Sequence, residues 1–332
     1  MNRITFLVLV LIISAGGNAQ PKNIEPAGIN FENITYPFPV HYMSTIIQWE
    51  QLKMAYMDVQ PEKPNGRNIL LLHGKNFNGA YWETTAKELR KRGYHIIIPD
   101  QVGFGKSSKP KHIQYSFQLL AQQTKTILDS LKIGKTIVLG HSMGGMLATR
   151  FTLMYPDLVE KLILEDPIGL EDWKLKVPYQ SVENWYKSEL RQDYNSIKKY
   201  QQENYYHGTW KPEYEKWVTL LARWTMNPDY PVIAWNAALT YDMIYTQPVL
   251  YEFDQLQIPT LLIIGELDRT ALGKNLVSDE VKNTLGNYPQ LAKEASEKIK
   301  TSKLVQLPRT GHLPHIESFD AFIKSVLSFL AE

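Results

Sequence analysis

The sequence has no cysteine, and that absence alone excludes both disulfides and a lipid anchor on an N-terminal thiol. A surplus of one charge sign is missing too. Thirty-six Lys and Arg stand against 34 Asp and Glu, a formal net charge of +2, with no long run of either sign. Neither a nucleic-acid footprint nor a polybasic membrane patch is therefore written into the chain. No metal-ligand spacing occurs, and Gly103-Phe104-Gly105 is too short, and lacks the third glycine, to be a nucleotide-type loop. There is no internal repeat and no low-complexity tract. These absences leave a small molecule as the expected partner, with no metal and no cofactor.

What the sequence does have is apolar mass: 44% hydrophobic and 11% aromatic residues in 332, enough for a large packed core. The most continuous apolar run, residues 4–13, follows Arg3 and leads to small residues ending Gly17-Asn18-Ala19. It is too short to span a bilayer. Its charged, apolar, small order reads as a secretory signal over residues 1–19, so a mature protein beginning near Gln20 is expected in the periplasm or outside the cell, with no stable membrane insertion.

Periodicity then divides the chain. After a Pro- and Asn-rich lead, residues 44–49 and 51–59 alternate like an antiparallel pair at a sheet edge. From residue 68 the pattern changes to short continuous apolar runs (68–72, 95–99, 136–139, 161–165), as expected of strands buried on both faces. Helical stretches lie between them, at 80–92 and 115–131. Strand and helix in alternation describe a doubly wound, mostly parallel α/β sheet. The alternation stops at residues 167–250, where Tyr186, Leu190, Tyr194 and Ile197, then Tyr214, Trp217, Leu221 and Trp224, recur at helical spacing. It resumes with strands at 259–265 and 303–307 and helices at 291–300 and 316–330. The expected organisation is a core of residues 20–166 and 251–332 interrupted by a helical cap at 167–250. That cap carries ten tyrosines, six tryptophans and no phenylalanine, a composition suited to a cavity that is part wet and part dry.

Chemistry concentrates at Gly140-His141-Ser142-Met143-Gly144. This G-x-S-x-G pattern is preceded by β-prone residues and followed by helix formers, so Ser142 falls on the strand-to-helix turn that a nucleophile elbow requires. A serine hydroxyl needs a base, and the base needs a carboxylate to hold its tautomer. Of eight histidines, His312 lies in a short loop before the last helix, at the rim where ligands of open α/β sheets bind. His315 is expected to orient that helix, and His73 and His141 to be structural. Asp268, just after the strand at 259–265, is the leading carboxylate; Asp166, at the tip of the preceding strand, competes. Glu266 should point elsewhere, and Asp100 should organise its loop. An oxyanion forming at Ser142 needs donors. The backbone N–H groups of Met143 and Lys75 are placed to supply them; the Lys75 side chain is expected to be solvated, with binding of an anionic substrate group as the alternative.

Together, His73-Gly74, the run Asp100-Gln101-Val102-Gly103-Phe104-Gly105, the elbow, Asp268 and Gly311-His312 resemble the successive signatures of the α/β-hydrolase superfamily, in its epoxide-hydrolase-like and esterase-like branch. The resemblance covers residues 40–166 and 251–330. It implies an α/β-hydrolase fold, a triad in the chain order Ser142, Asp268, His312, and no cofactor. Epoxide hydrolases and haloalkane dehalogenases of this branch carry aspartate at the elbow, whereas this chain has Ser142. The departure favours acyl-enzyme chemistry on small neutral esters or related acyl bonds. Carbon–carbon bond hydrolysis, perhydrolase or haloperoxidase-type activity, and non-catalytic ligand binding on the same fold are the alternatives.

Overall fold

The computed structural model describes residues 24–332, so the signal expected at 1–19 lies outside the described residues. Eight strands form one sheet: β1 Val40–Ile47, β2 Glu50–Val59, β3 Asn68–Leu72, β4 His95–Pro99, β5 Thr136–His141, β6 Val159–Glu165, β7 Thr260–Gly265 and β8 Ser302–Leu307. Their order is β1-β2-β4-β3-β5-β6-β7-β8. The β1–β2 and β2–β4 pairs are antiparallel, and every other pair is parallel.

The continuous apolar runs follow from burial on both faces. Leu70, Leu72, Val138, Leu162, Leu164, Leu262 and Ile264 point into one core, while their neighbours Ile69, Leu71, Ile137, Leu139, Ile163, Leu261 and Ile263 point into the other. Helices α2 (Phe117–Ser130) and α3 (Met143–Met154) cover the first face through Leu120, Ile127 and Leu147. On the second face lie α1 (Glu83–Lys91) and the C-terminal α11 (Phe319–Ala331), through Ala86, Leu89, Phe322 and Val326.

Between β6 and β7 run α4 (Val182–Glu189), α5 (Tyr194–Tyr200), α6 (Glu215–Thr225) and α7 (Tyr230–Thr246). α4 packs on α7, and α5 on α6 through Tyr194, Ile197, Val218 and Ala222. α5 continues into a π-helical turn, Gln201–Tyr205. Two further helices, α8 (Asp279–Lys282) and α9 (Tyr288–Lys298), separate β7 from β8, and α10 (Pro314–Glu317) precedes α11.

β1 begins four residues and α9 three residues earlier than the periodicity placed them, and three further boundaries differ from it for local reasons. The first edge strand ends at Ile47, because Gln48 and Trp49 form a two-residue turn with φ of 47° and 73°; Trp49 is 98% exposed. Two positive φ values match the twist of the strands such a turn joins. The helix expected at 80–92 begins as a 3₁₀ turn, Gly79–Trp82, capped by the Asn78 side chain. The last helix is broken at Ser318, whose φ −136°, ψ 48° are not helical and whose hydroxyl lies 2.7 Å from that of Thr310.

Candidate active site

Ser142 sits between β5 and α3 at φ 56°, ψ −121°, backbone angles that cost a non-glycine residue on the order of 1–3 kcal/mol and persist only where the surroundings enforce them. The enforcement is visible at two glycines. A Cβ on Gly140 would lie 2.1 Å from the Gly144 carbonyl oxygen, and one on Gly144 would lie 2.2 Å from that of Leu72. The turn therefore presses backbone on backbone and pushes the serine side chain outward.

His312, in the loop after β8, meets that side chain. Its Nε2 lies 2.9 Å from Ser142 Oγ and its Nδ1 2.7 Å from Asp268 Oδ2. Asp268 Oδ1 accepts the Thr270 N–H at 2.8 Å. A carboxylate only accepts, so Nδ1 carries the proton and donates it to Asp268, leaving Nε2 to accept from the Ser142 hydroxyl. Asp268 and His312 are fully buried, and Ser142 is 7% exposed. In this low-dielectric setting the line of three groups is held without competition from water.

The histidine loop is tied down on all sides. His312 N–H donates to the Tyr205 carbonyl at 2.8 Å, and Gly311 and Leu313 N–H donate to the Glu317 carboxylate, each at 3.1 Å. Burial pushes the Glu317 carboxyl up to about 7. His141 connects this loop to the one after β3. Gly74 N–H donates to the Tyr81 hydroxyl (2.9 Å), which donates to His141 Nδ1 (3.0 Å), and His141 Nε2–H donates to the His312 carbonyl (2.7 Å). Burial and the neighbouring imidazoles hold His141 well below the usual histidine range, as this one-donor, one-acceptor arrangement needs. His73 is likewise lowered by burial, donating to the Gly74 carbonyl and accepting from Gln101 N–H.

The remaining sequence candidates sort by their partners. The structure brings Ser142, Asp268 and His312 together, and it gives Asp166 a different partner: its carboxyl accepts the Gly265 N–H at 3.0 and 3.1 Å. Burial and the Asp268 charge push the Asp166 carboxyl well above the usual range. His315 donates its backbone N–H and Nδ1–H to Glu165 Oε1, both at 2.8 Å, fastening α10 to the end of β6. Asp100 accepts from Gly79 N–H, Lys106 N–H and the Tyr36 hydroxyl. Glu266 is half-buried and has no side-chain hydrogen bond to this cluster.

Among the described residues, neither Met143 N–H nor Lys75 N–H donates to a protein acceptor. Both donors remain free for an anion at the elbow. The Lys75 side chain corrects the expectation of a solvated ammonium: it is half-buried, with Nζ 3.4 Å from the centroid of the Tyr241 ring. Burial lowers it to about 8, the charge of Glu189 acting in the other direction.

One residue next to the reacting groups went unnoticed in the sequence. The Tyr205 ring stacks on His312 at 5.0 Å between centroids and 25° between planes, and its hydroxyl accepts from Asn76 Nδ2 at 2.8 Å. Only the tyrosine-rich composition of the segment hinted at such a role, and nothing singled out this position. Ser142 opens into a chamber of about 40 Å³ walled by Trp173, Tyr205, Ile244 and Leu272. A second chamber, of about 100 Å³, shares Lys75, Asn76, Tyr200 and Tyr241 with the first. Among the described residues no group of three or more His, Asp or Glu is placed to hold a metal ion.

Comparison with known proteins agrees with this architecture. Residues 67–207 match the family model described as alpha/beta hydrolase fold. A probable hydrolytic enzyme from Pseudomonas aeruginosa PAO1 superposes with a TM-score of 0.91 at 50% identity, over 92% of this chain and 99% of that one. Lipase 1 of Psychrobacter immobilis is 35% identical over 34% of this chain and 35% of its own. A haloalkane dehalogenase of Mycolicibacterium paratuberculosis is 31% identical over 40% of this chain and 45% of its own. The chain thus spans less than half the length of these curated relatives, while matching the P. aeruginosa structure almost end to end. On the shared sheet, the elbow and this full-length match, the chain belongs to the α/β-hydrolase fold family.

Proposed function

We propose that the protein is a serine hydrolase that cleaves small esters or related acyl bonds through an acyl-enzyme intermediate. The observation that carries this reading is the unbroken line from Ser142 Oγ to His312 to Asp268, ending on a serine whose backbone is held in a strained conformation. Ser142 Oγ attacks the carbonyl carbon as His312 Nε2 takes its proton. Asp268 stabilises the imidazolium that results. The negative charge passing to the carbonyl oxygen meets the free N–H groups of Lys75 and Met143, at the positive end of α3. Collapse of this intermediate breaks the bond to the alcohol oxygen, which takes the proton from His312. Water then releases the acid from Ser142 by the same route, so one ester and one water give one acid and one alcohol.

Labelling with a fluorophosphonate probe tests the reading. Wild-type protein should take one phosphonyl group on the peptide containing Ser142, and Ser142→Ala should take none. An unlabelled wild-type protein, or a label that persists in Ser142→Ala, would overturn the assignment. We also propose that residues 1–19 direct export. N-terminal analysis of material from the native host should then find a start at or near Gln20, and an intact Met1 would refute this.

A further inference from the structure

Asn204 and Tyr205, in the π-helical turn that follows α5, make contact with all three loops that carry the reacting groups. The turn is closed by Tyr206 N–H donating to the Gln201 carbonyl at 3.0 Å, and the last carbonyl groups of a helix have no partners within it. The core loops supply them. His312 N–H donates to the Tyr205 carbonyl at 2.8 Å, and the Thr270 hydroxyl donates to that of Asn204 at 3.3 Å while Thr270 N–H holds Asp268. The first contact needs a glycine at 311, since a Cβ there would lie 2.1 Å from the same Tyr205 oxygen. The Tyr205 side chain adds a third anchor, its hydroxyl accepting from Asn76 Nδ2 at 2.8 Å, one residue beyond the free N–H of Lys75. The loops after β3, β7 and β8 thus meet on one dipeptide of the inserted helical segment.

What this dipeptide does for the base follows from how the imidazole is held. The bonds from Nδ1 to Asp268 and from Nε2 to Ser142 lie near the plane of the ring, so they resist tilting out of that plane only weakly. A flat group against the ring face resists it by contact. His141, at 4.8 Å and 56°, and Tyr288, at 6.4 Å and 61°, are steeply inclined to His312, whereas Tyr205 lies nearly parallel to it at 5.0 Å and 25°. The face of a tyrosine ring is also its negative side, and the imidazole becomes cationic only on taking the Ser142 proton. An attraction that appears in the transition state and not before it raises kcat. We propose that Tyr205 is a positioning residue for the base, holding the His312 ring in line with Ser142 and stabilising the imidazolium formed during proton transfer. The inference rests on His312 as the base for Ser142. Tyr205 also walls the chamber at Ser142, so a role in shaping the pocket is the competing account. The two differ in what they set: a wall that binds substrate and transition state alike sets KM, and a held base sets kcat.

Steady-state kinetics on p-nitrophenyl acetate separate the two accounts. Tyr205→Leu keeps the backbone carbonyl and the apolar bulk but loses the flat ring, and kcat should fall about 10- to 30-fold with KM within about threefold of wild type, the loss matching a buried ring–cation contact. Tyr205→Phe restores the ring without the Asn76 bond and should lose only about threefold in kcat. Tyr205→Met, whose flexible side chain fills the space without a ring, gives the same comparison with Tyr205→Phe should Tyr205→Leu fail to fold. A ring-less variant whose kcat stays within about threefold of wild type, a loss carried by KM alone, or Tyr205→Phe falling as far as the ring-less variant overturns the positioning role alone. Wild-type protein whose Ser142 does not take the phosphonate overturns the reading beneath it.

Discussion

Replacing Asp268 by asparagine exchanges one oxygen for an NH2 group, and the consequence can be followed atom by atom. Asp268 Oδ1 accepts the Thr270 N–H, a bond that only an oxygen can keep, so the new amide nitrogen must occupy the Oδ2 position facing His312 Nδ1. A donor there turns Nδ1 into an acceptor and moves the ring proton to Nε2, the atom that has to receive the Ser142 proton. The base is then present in the right place in the wrong tautomer. We predict a loss of roughly 10³- to 10⁴-fold in kcat/KM, or about 4–5.5 kcal/mol of transition-state stabilisation at 1.36 kcal/mol per decade. Folding should survive, since the shape and the Thr270 bond are retained and the buried charge next to Asp166 is removed. Initial rates on p-nitrophenyl acetate, with a thermal melt as control for folding, read both effects. Asp166→Asn is the matched comparison: its amide oxygen still accepts the Gly265 N–H and the side chain keeps its shape, so its rate should stay within about tenfold of wild type. Loss of less than tenfold in Asp268→Asn, or the collapse appearing in Asp166→Asn instead, would show that the carboxylate has been assigned to the wrong strand.

Ser142→Ala and His312→Ala should each abolish ester turnover by several orders of magnitude, and the double variant should be little worse than either, because the groups act as a unit; additive losses in kcat would mean that they work separately. Across p-nitrophenyl esters of rising chain length the rate should fall, since the walls at Ser142, among them Trp173, Tyr205, Ile244 and Leu272, leave a narrow chamber, and a rate climbing through the long-chain members would contradict that narrowness. The Glu317 carboxyl, pushed up to about 7 by burial, predicts a pH effect on stability. Its folded-state value lies above that of the unfolded chain, so the protonated form is favoured by folding, and that contribution is fully present below about pH 4.5 and lost as the pH rises through about 7. Melting temperatures measured from pH 5 to 8 should therefore decline, and Glu317→Gln should flatten the decline; an identical slope in the variant would remove Glu317 as the cause.

Much of this was legible because it depends on short-range rules. Ile69, Leu70, Leu71 and Leu72 in succession mark a strand covered on both faces, and the structure divides them alternately between two cores. Gly140 and Gly144 flank Ser142 because the turn leaves no room for a Cβ, a requirement that appears in the sequence itself. The start of the last helix was less legible, since the break at Ser318 comes with a hydroxyl contact to Thr310, eight residues earlier. Nor could periodicity separate a 3₁₀ turn at Gly79–Trp82 from the first turn of an α-helix, because both place apolar side chains on one face over so short a stretch.

The site was legible only as far as it belongs to the core. Ser142, Asp268 and His312 sit at strand ends, where the parallel sheet dictates that they converge. Tyr205 and Gln201 come from a segment between β6 and β7 whose path no periodicity specifies, and both lie on a π-helical turn, a device that widens the helix by one residue and leaves no signature in hydrophobic spacing. Yet that turn places Gln201 at the wall of the second chamber and Tyr205 against His312, four residues apart. The two positions are thus coupled through one piece of backbone, the Tyr205 carbonyl being itself the acceptor for His312 N–H.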